Sequence, residues 1–364
     1  MEPVAMQRVA KTRQVISLDK AGFRVAWHPS EKRLAVLDGG LNLVEFDATT
    51  GQIIHVLPTL IRGALNGGIA YSPDGKYLIG GNGVISVFDA GSGQKVKEIL
   101  GPYEGDPHGA QGLDTLTISP DSKLVAVRYS QYKHTIRANI SVFEIETGRL
   151  VFSLSDIGDK VHASSFSGNL VFTPDGKSLL SPRYEVLTDS ERKRRGVEFH
   201  YTVYLEVLDV RSGKVTKTIP AVHVQEITAQ AVSADGKLVA TGTNTLGKES
   251  TLNETTGGWD YIDNQDPIRI WSAETGKVLK ELGPLRGAVR ALSFSQDGSL
   301  LASCQTDLTN KETLWLWDVA SGQLIERVQT PNSAHEFFDC AFSPSGRRLA
   351  FPVNRQLYLF DMAR

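Results

Sequence analysis

The sequence predicts an all-β protein: a closed ring of seven four-stranded antiparallel sheets, a seven-bladed β-propeller. Three observations predict it. Two kinds of turn alternate along the chain, seven of each. The stretches between them alternate apolar and polar residues, the period of half-buried strands. The final unit lacks one strand, and a segment of matching character stands at the other end of the chain.

The first turn joins strands a and b of each unit. It runs Trp27-His28-Pro29-Ser30, Tyr71-Ser72-Pro73-Asp74-Gly75, Ile118-Ser119-Pro120-Asp121 and Phe172-Thr173-Pro174-Asp175-Gly176, then Val232-Ser233-Ala234-Asp235-Gly236, Phe294-Ser295-Gln296-Asp297-Gly298 and Phe342-Ser343-Pro344-Ser345-Gly346. Proline pre-sets φ at the first corner, and Asp-Gly supplies a side-chain bond and a permissive backbone. The second turn joins c to d. It follows Phe46-Asp47, Phe88-Asp89, Phe143-Glu144, Leu208-Asp209, Trp271-Ser272, Trp317-Asp318 and Phe360-Asp361, and in the first six units ends on a glycine. Strand c itself alternates, as in Leu314-Trp315-Leu316-Trp317. A lone four-stranded sheet cannot bury both faces, so such units stack around an axis.

Closure follows from the termini. After Asp361 the chain has no room for a fourth strand, whereas Arg13 to Leu18 resembles the d strand Lys277 to Leu282. Residues 13–18 are therefore expected to complete the blade formed by about 336–364, making 1–364 a single domain with no free edge at the join.

These units resemble WD40 repeats, and the resemblance spans essentially the whole chain. The Trp-Asp dipeptide survives at Trp317-Asp318, and the Gly-His dipeptide is absent. Only His223 stands where that histidine would, so a hydrogen-bond network of His223, Thr241 and Trp271 is expected in blade five, with apolar packing elsewhere. The resemblance implies a non-catalytic platform for protein partners. The turns are also similar to those of other seven-bladed bacterial propellers.

Composition bounds the function. The 364 residues carry a net charge of -2, with 41% hydrophobic and 22% charged residues, typical of a folded globular chain. Nucleic-acid and membrane-surface roles are not expected from so even a balance. Two cysteines, Cys304 and Cys340, exclude a disulfide framework and read as buried thiols. Neither a signal peptide nor a membrane span is evident, so a monomeric ring in the cytoplasm is expected.

The seven first turns are separated by 44, 47, 54, 60, 62 and 48 residues, and the excess falls in the b–c loops of blades three to six. Enlarged loops on one face of a repeat array mark a binding face. Blade three offers Arg128 and Tyr129, blade four Arg183 and Tyr184 followed by Arg192, Lys193, Arg194 and Arg195, and blade five Trp259 and Tyr261. Arginine forks with aromatic rings suit an acidic peptide or domain. Reversing charge at Arg128 and Arg183 is expected to weaken such a partner while leaving the melting temperature nearly unchanged.

Catalysis has a weaker basis. Near the starts of strand a stand Arg24, Asp114, Arg290 and Asp339, a mixed set suited to polar recognition at the channel mouth. A hydrolase or lactonase-like enzyme, or a small-ligand binder, is the alternative reading. The eight histidines are scattered, and Asp260, Asp263 and Asp266 do not match a calcium-loop spacing. No metal or cofactor is expected.

Overall fold

The computed structural model describes residues 10–59, 67–81, 83–101, 111–133, 135–155, 169–186, 190, 193–194, 201–221, 223, 227–243, 250–252, 259–261, 266–285, 287–306, 312–329 and 339–362. Strand β1 is Ala10–Ser17. Blade one is β2 (Gly22–Trp27), β3 (Arg33–Asp38), β4 (Asn42–Asp47) and β5 (Ile53–Pro58); blade two is β6 (Gly68–Tyr71), β7 (Tyr77–Gly81), β8 (Val84–Asp89) and β9 (Lys95–Leu100). Blade three is β10 (Gln111–Ile118), β11 (Leu124–Lys133), β12 (Thr135–Glu144) and β13 (Leu150–Ser155). Blade four is β14 (Val171–Phe172), β15 (Ser178–Val186), β16 (Tyr201–Asp209) and β17 (Val215–Ala221). Blade five is β18 (Ile227–Val232) and β19 (Leu238–Thr243), then a small hairpin of β20 (Ser250–Leu252) and β21 (Trp259–Tyr261), then β22 (Ile268–Ser272) and β23 (Val278–Leu282). Blade six is β24 (Ala288–Phe294), β25 (Leu300–Thr306), β26 (Glu312–Asp318) and β27 (Leu324–Gln329), and blade seven has β28 (Ala341–Phe342), β29 (Arg348–Val353) and β30 (Gln356–Met362).

Each blade is one antiparallel sheet in the order a-b-c-d, and β1 supplies the fourth strand of blade seven by pairing with β30, Ala10 opposite Met362 and Ser17 opposite Gln356. The inner strands touch in a closed circuit, β2 to β6, β10, β14, β18, β24, β28 and back to β2. The ring is seven-bladed and shut.

The turns are held as their composition requires. In blade two, Ser72 Oγ donates to Asp74 Oδ1 at 2.6 Å, and that same oxygen accepts the Lys76 amide at 3.0 Å. The pattern recurs at Ser119–Asp121, Thr173–Asp175, Ser233–Asp235 and Ser295–Asp297. In the c–d turns, Asp47 Oδ1 takes the amides of Thr49 and Thr50, and Asp89, Asp209 and Asp318 each take the amide three residues on. The acidic residue after the aromatic is thus a turn cap. Gly75 shows why one glycine is needed: its φ is +75°, and a Cβ there would sit 2.9 Å from His28 Nε2 of blade one.

The core is a series of seams between neighbouring sheets. Leu37 and Leu43 of blade one pack with Ile69, Leu78 and Phe88 of blade two, and Cys304 and Leu314 of blade six pack with Cys340 and Phe351 of blade seven. Both cysteines are free and buried, and burial pushes the Cys340 thiol up.

Two features shape the channel wall. A β-bulge interrupts the inner strand six residues before the turn in blades one, three, five and six, at Phe23, Asp114, Thr228 and Arg290. Bulges re-aim a side chain and strengthen local twist. Blades four and seven have inner strands of 2 residues each. Eight residues past the turn position, their b strands carry Pro182 and Pro352, where the other blades have Leu37, Gly81, Arg128, Gly242 and Cys304. A proline has no amide to give the ladder, so pairing with the inner strand stops before it.

Candidate functional site

The polar residues expected near the starts of the inner strands are placed as follows. Arg24 is half-buried, and its Nε donates to Gly67 O of blade two at 3.3 Å. Asp339 opens blade seven and accepts the Val25 amide of blade one at Oδ2, 3.0 Å away. Burial pushes its carboxyl up to about 6, against the pull of Arg24. Arg290, half-buried, lies on blade six, so Arg290, Asp339 and Arg24 occupy three consecutive blades. Asp114 is buried in blade three, apart from them. Among the described residues no three metal-binding side chains converge.

The enlarged loops are hairpins. In blade three, β11 and β12 pair from Leu124–Glu144 up to Lys133–Thr135; in blade four, β15 and β16 pair from Ser178–Asp209 up to Val186–Tyr201. Blade five instead carries the separate hairpin β20–β21, in which Trp259 faces Leu252 and Tyr261 faces Ser250 in register. By contrast, blade seven turns from Val353 to Gln356 with two residues between.

Two candidates must be corrected. Arg128 is 2% exposed, and its Nη2 donates to Ser181 Oγ at 2.7 Å and Pro182 O at 3.3 Å in the next blade. It staples blade three to blade four and cannot meet a partner. Tyr129 is 1% exposed, packed with Leu113, Val127 and Ile79, and burial raises its phenol. Charge reversal at Arg128 therefore cannot leave the fold undisturbed, contrary to expectation. Packing on both faces explains the error: each sheet lies between two neighbours, so the adjacent steps of β11 held by Arg128 and Tyr129 are both covered.

Arg183 is more exposed and pairs with Glu206 Oε1 at 3.0 Å. Arg194 and its neighbour Lys193 are exposed at the far end of the same hairpin. Arg192 lies outside the described residues, as do the side chains of Tyr184, Trp259 and Tyr261, whose backbones are placed in β15 and β21.

Blade five brings His223, Thr241 and Trp271 together. Trp271 Nε1 donates to Thr241 Oγ1 at 2.7 Å, and His223 Nε2 lies 2.7 Å from that oxygen. His223 Nδ1 lies 2.9 Å from Asp266 Oδ2 and 2.7 Å from Arg269 Nη1, so a carboxylate and a guanidinium meet at that nitrogen. Asp266 also receives Arg269 Nη1 at 2.6 Å and Thr243 Oγ1 at 3.2 Å. Burial works to raise the Asp266 carboxyl, but His223 and Arg269 hold it below its ordinary range. Its oxygens are engaged within the fold.

Sequence reasoning weighed Asp266 only as a calcium ligand, and it missed the bond to His223, Arg269 and two other clusters. In blade six, Trp317 Nε1 and Gln305 Nε2 each donate to Ser303 Oγ at 2.9 Å, so apolar packing is not the whole story outside blade five. Between blades one and two, the buried Glu45 accepts Tyr71 OH at 2.6 Å and pairs with His55 Nδ1 at 2.6 Å and Arg33 Nη1 at 3.2 Å. A charged residue flanked by Val44 and Phe46 on a c strand is the signal that could have found it.

Comparison with known proteins agrees with this architecture. Residues 276–318, which run from β23 through β26 and end on Trp317-Asp318, match the WD40 family model, described as WD domain, G-beta repeat. The chain is 35% identical over 89 residues to the Periodic tryptophan protein 2 homolog of Schizosaccharomyces pombe, covering 24% of this chain and 10% of that one. It is 32% identical over 103 residues to the WD repeat and SOCS box-containing protein 1 of Mus musculus, covering 27% of this chain and 23% of the relative. The matched segments thus span at most about a quarter of these relatives' length. The molecule is a seven-bladed β-propeller, and its segment 276–318 is similar to a WD40 repeat. Fold and relatives together support a protein-interaction scaffold in general terms.

Proposed function

We propose that the protein acts as a non-catalytic scaffold that binds a partner peptide or domain on its top face. The contact is biased to blades three to six, and the partner is acidic. The observation that carries this reading is the unequal rim: β11–β12, β15–β16 and β20–β21 extend blades three to five, while blade seven ends in a two-residue turn. A rigid ring with long loops on one sector supports recognition there. With Arg128 and Tyr129 withdrawn, the residues assigned to the contact are Arg183, Arg192, Lys193 and Arg194, with Trp259 and Tyr261 beside them. Affinity capture with the full chain and with Lys193→Glu/Arg194→Glu tests it. Specific partners should be lost from the variant while the thermal midpoint shifts by less than about 3 °C. An unchanged set of captured proteins would sink the assignment.

A second reading, a small-ligand or hydrolytic site at the channel mouth, has one observation in its favour: Arg290, Asp339 and Arg24 on consecutive blades, with a carboxyl raised to about 6. Perturbed groups in a cleft are functional candidates. A ligand whose thermal stabilisation disappears in Arg290→Gln would favour it over the scaffold.

A further inference from the structure

We propose that a groove between blades three and four, on the face formed by the a–b and c–d turns, takes a lysine or arginine side chain of a partner peptide. This face lies at the opposite end of the strands from the b–c loops, and the proposal does not depend on the acidic partner assigned there.

The neighbouring seams show what fits. Each c–d turn is tied to the a–b turn of its own blade by one repeated bond: Ala90 N to Lys76 O, Ile145 N to Lys123 O, Val210 N to Lys177 O and Ala273 N to Lys237 O. The four turns can therefore be compared residue by residue. Between blades one and two, Arg33 Nη1 donates to Ala90 O. Between blades two and three, Lys97 Nζ donates to Glu146 O, the carbonyl after Ile145. Between blades four and five, Lys217 Nζ reaches Glu274 O at 2.7 Å and Ala273 O at 3.5 Å. In all three seams the preceding blade gives a cation to the carbonyls of the next c–d turn.

Blade three has no cation at either step. Leu124 stands where Arg33 does, four residues past the first-turn position. Phe152 stands where Lys97 and Lys217 do, four residues past the c–d glycine. Both kinds of side chain arrive at the same place: a Cβ on Gly148 would lie 3.5 Å from Lys97 Cδ, and one on Gly213 would lie 2.7 Å from Phe152 Cδ2. Phe152 thus meets the turn of blade four with a ring and no donor. The counterparts of Ala273 O and Glu274 O are Val210 O and Arg211 O, and no side chain among the described residues donates to either.

Where the cation would lie, a groove of about 690 Å³ opens. Pro120, Leu124 and Pro174 give it apolar walls, suited to the methylene stem of a lysine or arginine. Asp121, Asp175 and Asp209 stand at its rim. Hydroxyl bonds from Ser119, Thr173 and Ser212 hold their carboxyls below the ordinary carboxylate range, so all three are ionised at neutral pH. Lys123, Lys177 and Arg211 answer these carboxylates from exposed positions, which leaves the two carbonyls as the groups short of a donor. Carbonyls inside a carboxylate rim favour a charged donor and disfavour an acidic one.

The test uses the full chain and two labelled decapeptides, five Gly-Lys repeats and the same peptide with every lysine acetylated. By fluorescence anisotropy the lysine peptide should bind roughly tenfold tighter than its acetylated form. Phe152→Lys places the missing cation within the chain, at a step that Lys97 and Lys217 already hold in the neighbouring blades. It should fill the groove and weaken the lysine peptide about tenfold. Leu279→Lys adds the same charge at an exposed position of β23 and should leave the affinity unchanged. A photoreactive group beside the central lysine gives a readout that needs no variant, and its label should fall on residues 120–124, 174–177 or 209–213. Equal binding of the two peptides, no binding of either, or label placed elsewhere overturns the proposal. So does a Phe152→Lys protein that binds as well as the parent, or one weakened no more than Leu279→Lys.

Discussion

Tyr71 of blade two gives its hydroxyl proton to Glu45 of blade one, 2.6 Å away across the seam between them. The carboxylate is 1% exposed, so it depends on its partners rather than on water. Arg33 and His55 hold it from its own sheet. Tyr71 is the donor that makes the cluster an inter-blade tie, and in return the burial of its ring against Glu45 raises its own pKa. Tyr71→Phe should therefore lower the urea midpoint by an amount equal to about 1.5–3 kcal/mol, the range for a hydrogen bond to a charged group. An unmoved midpoint would mean that the carboxylate finds another donor.

His28 and His223 give the fold its acid sensitivity. Both are held below the ordinary 6.5, chiefly by burial, helped by Arg33 for His28 and by Arg269 for His223. Unfolded, each takes up a proton as the pH falls through 6.5; folded, each resists. Stability is therefore complete above that value and declines as the pH drops below it. Thermal midpoints measured from about pH 7.5 to about pH 5.5 should fall, and the slope should flatten in His28→Gln/His223→Gln. A slope that the double variant does not change would assign the effect elsewhere.

Asp339 works in the opposite sense. Its carboxyl is raised from 3.8 to about 6, so the folded protein takes up this proton before the unfolded chain does. Acidification through about 6 relieves a buried charge and partly offsets the histidine loss. Asp339→Asn keeps the shape and an oxygen for the Val25 amide. It should raise the midpoint at about pH 8 and make the decline between about pH 7 and about pH 5 steeper. Destabilisation at about pH 8 would show instead that the ionised form is needed, through Arg24.

Arg128 separates a surface reading from a buried one. Arg128→Glu would set a carboxylate against Pro182 O, and the expected loss is about 3–5 kcal/mol, enough to unfold a marginal ring. Arg128→Met keeps the bulk but leaves Ser181 Oγ and Pro182 O short of a donor, at about 1–3 kcal/mol. Thermal melts of the two variants check the order. Indifference to the glutamate would restore Arg128 to the surface.

Removing residues 1–17 should leave blade seven with three strands and the outer edge of β30 bare. The truncated ring is expected to aggregate or to melt well below the intact protein, and a synthetic peptide of residues 10–18 should recover part of the loss. Unchanged melting and a monomeric elution profile would show that β1 is dispensable.

Much of this architecture was legible because it repeats. Pro73-Asp74-Gly75 and its counterparts mark strand ends by local chemistry, and local chemistry survives without an alignment. Ring closure was legible because strand d of blade seven had to come from somewhere. Side-chain direction was harder. Arg128 looks like a binding residue by type, yet its step from the turn is that of Leu37, Gly81 and Cys304, all buried or backbone-packed. Asp266 was hidden for another reason: its partners His223 and Arg269 belong to different strands' ends, and only folding gathers them. The short inner strands follow from Pro182 and Pro352, but their meaning needs the register of the sheet.

The pairing of β1 with β30 also orders events in time. Ala10 leaves the ribosome roughly 350 residues before Met362, its partner. At ~5–20 residues per second, the first strand waits on the order of a minute with its ladder unmade. Blades one to six can stack meanwhile, but the circle is completed only once β30 has emerged, which makes the nascent chain a client for any factor that shields an unpaired strand.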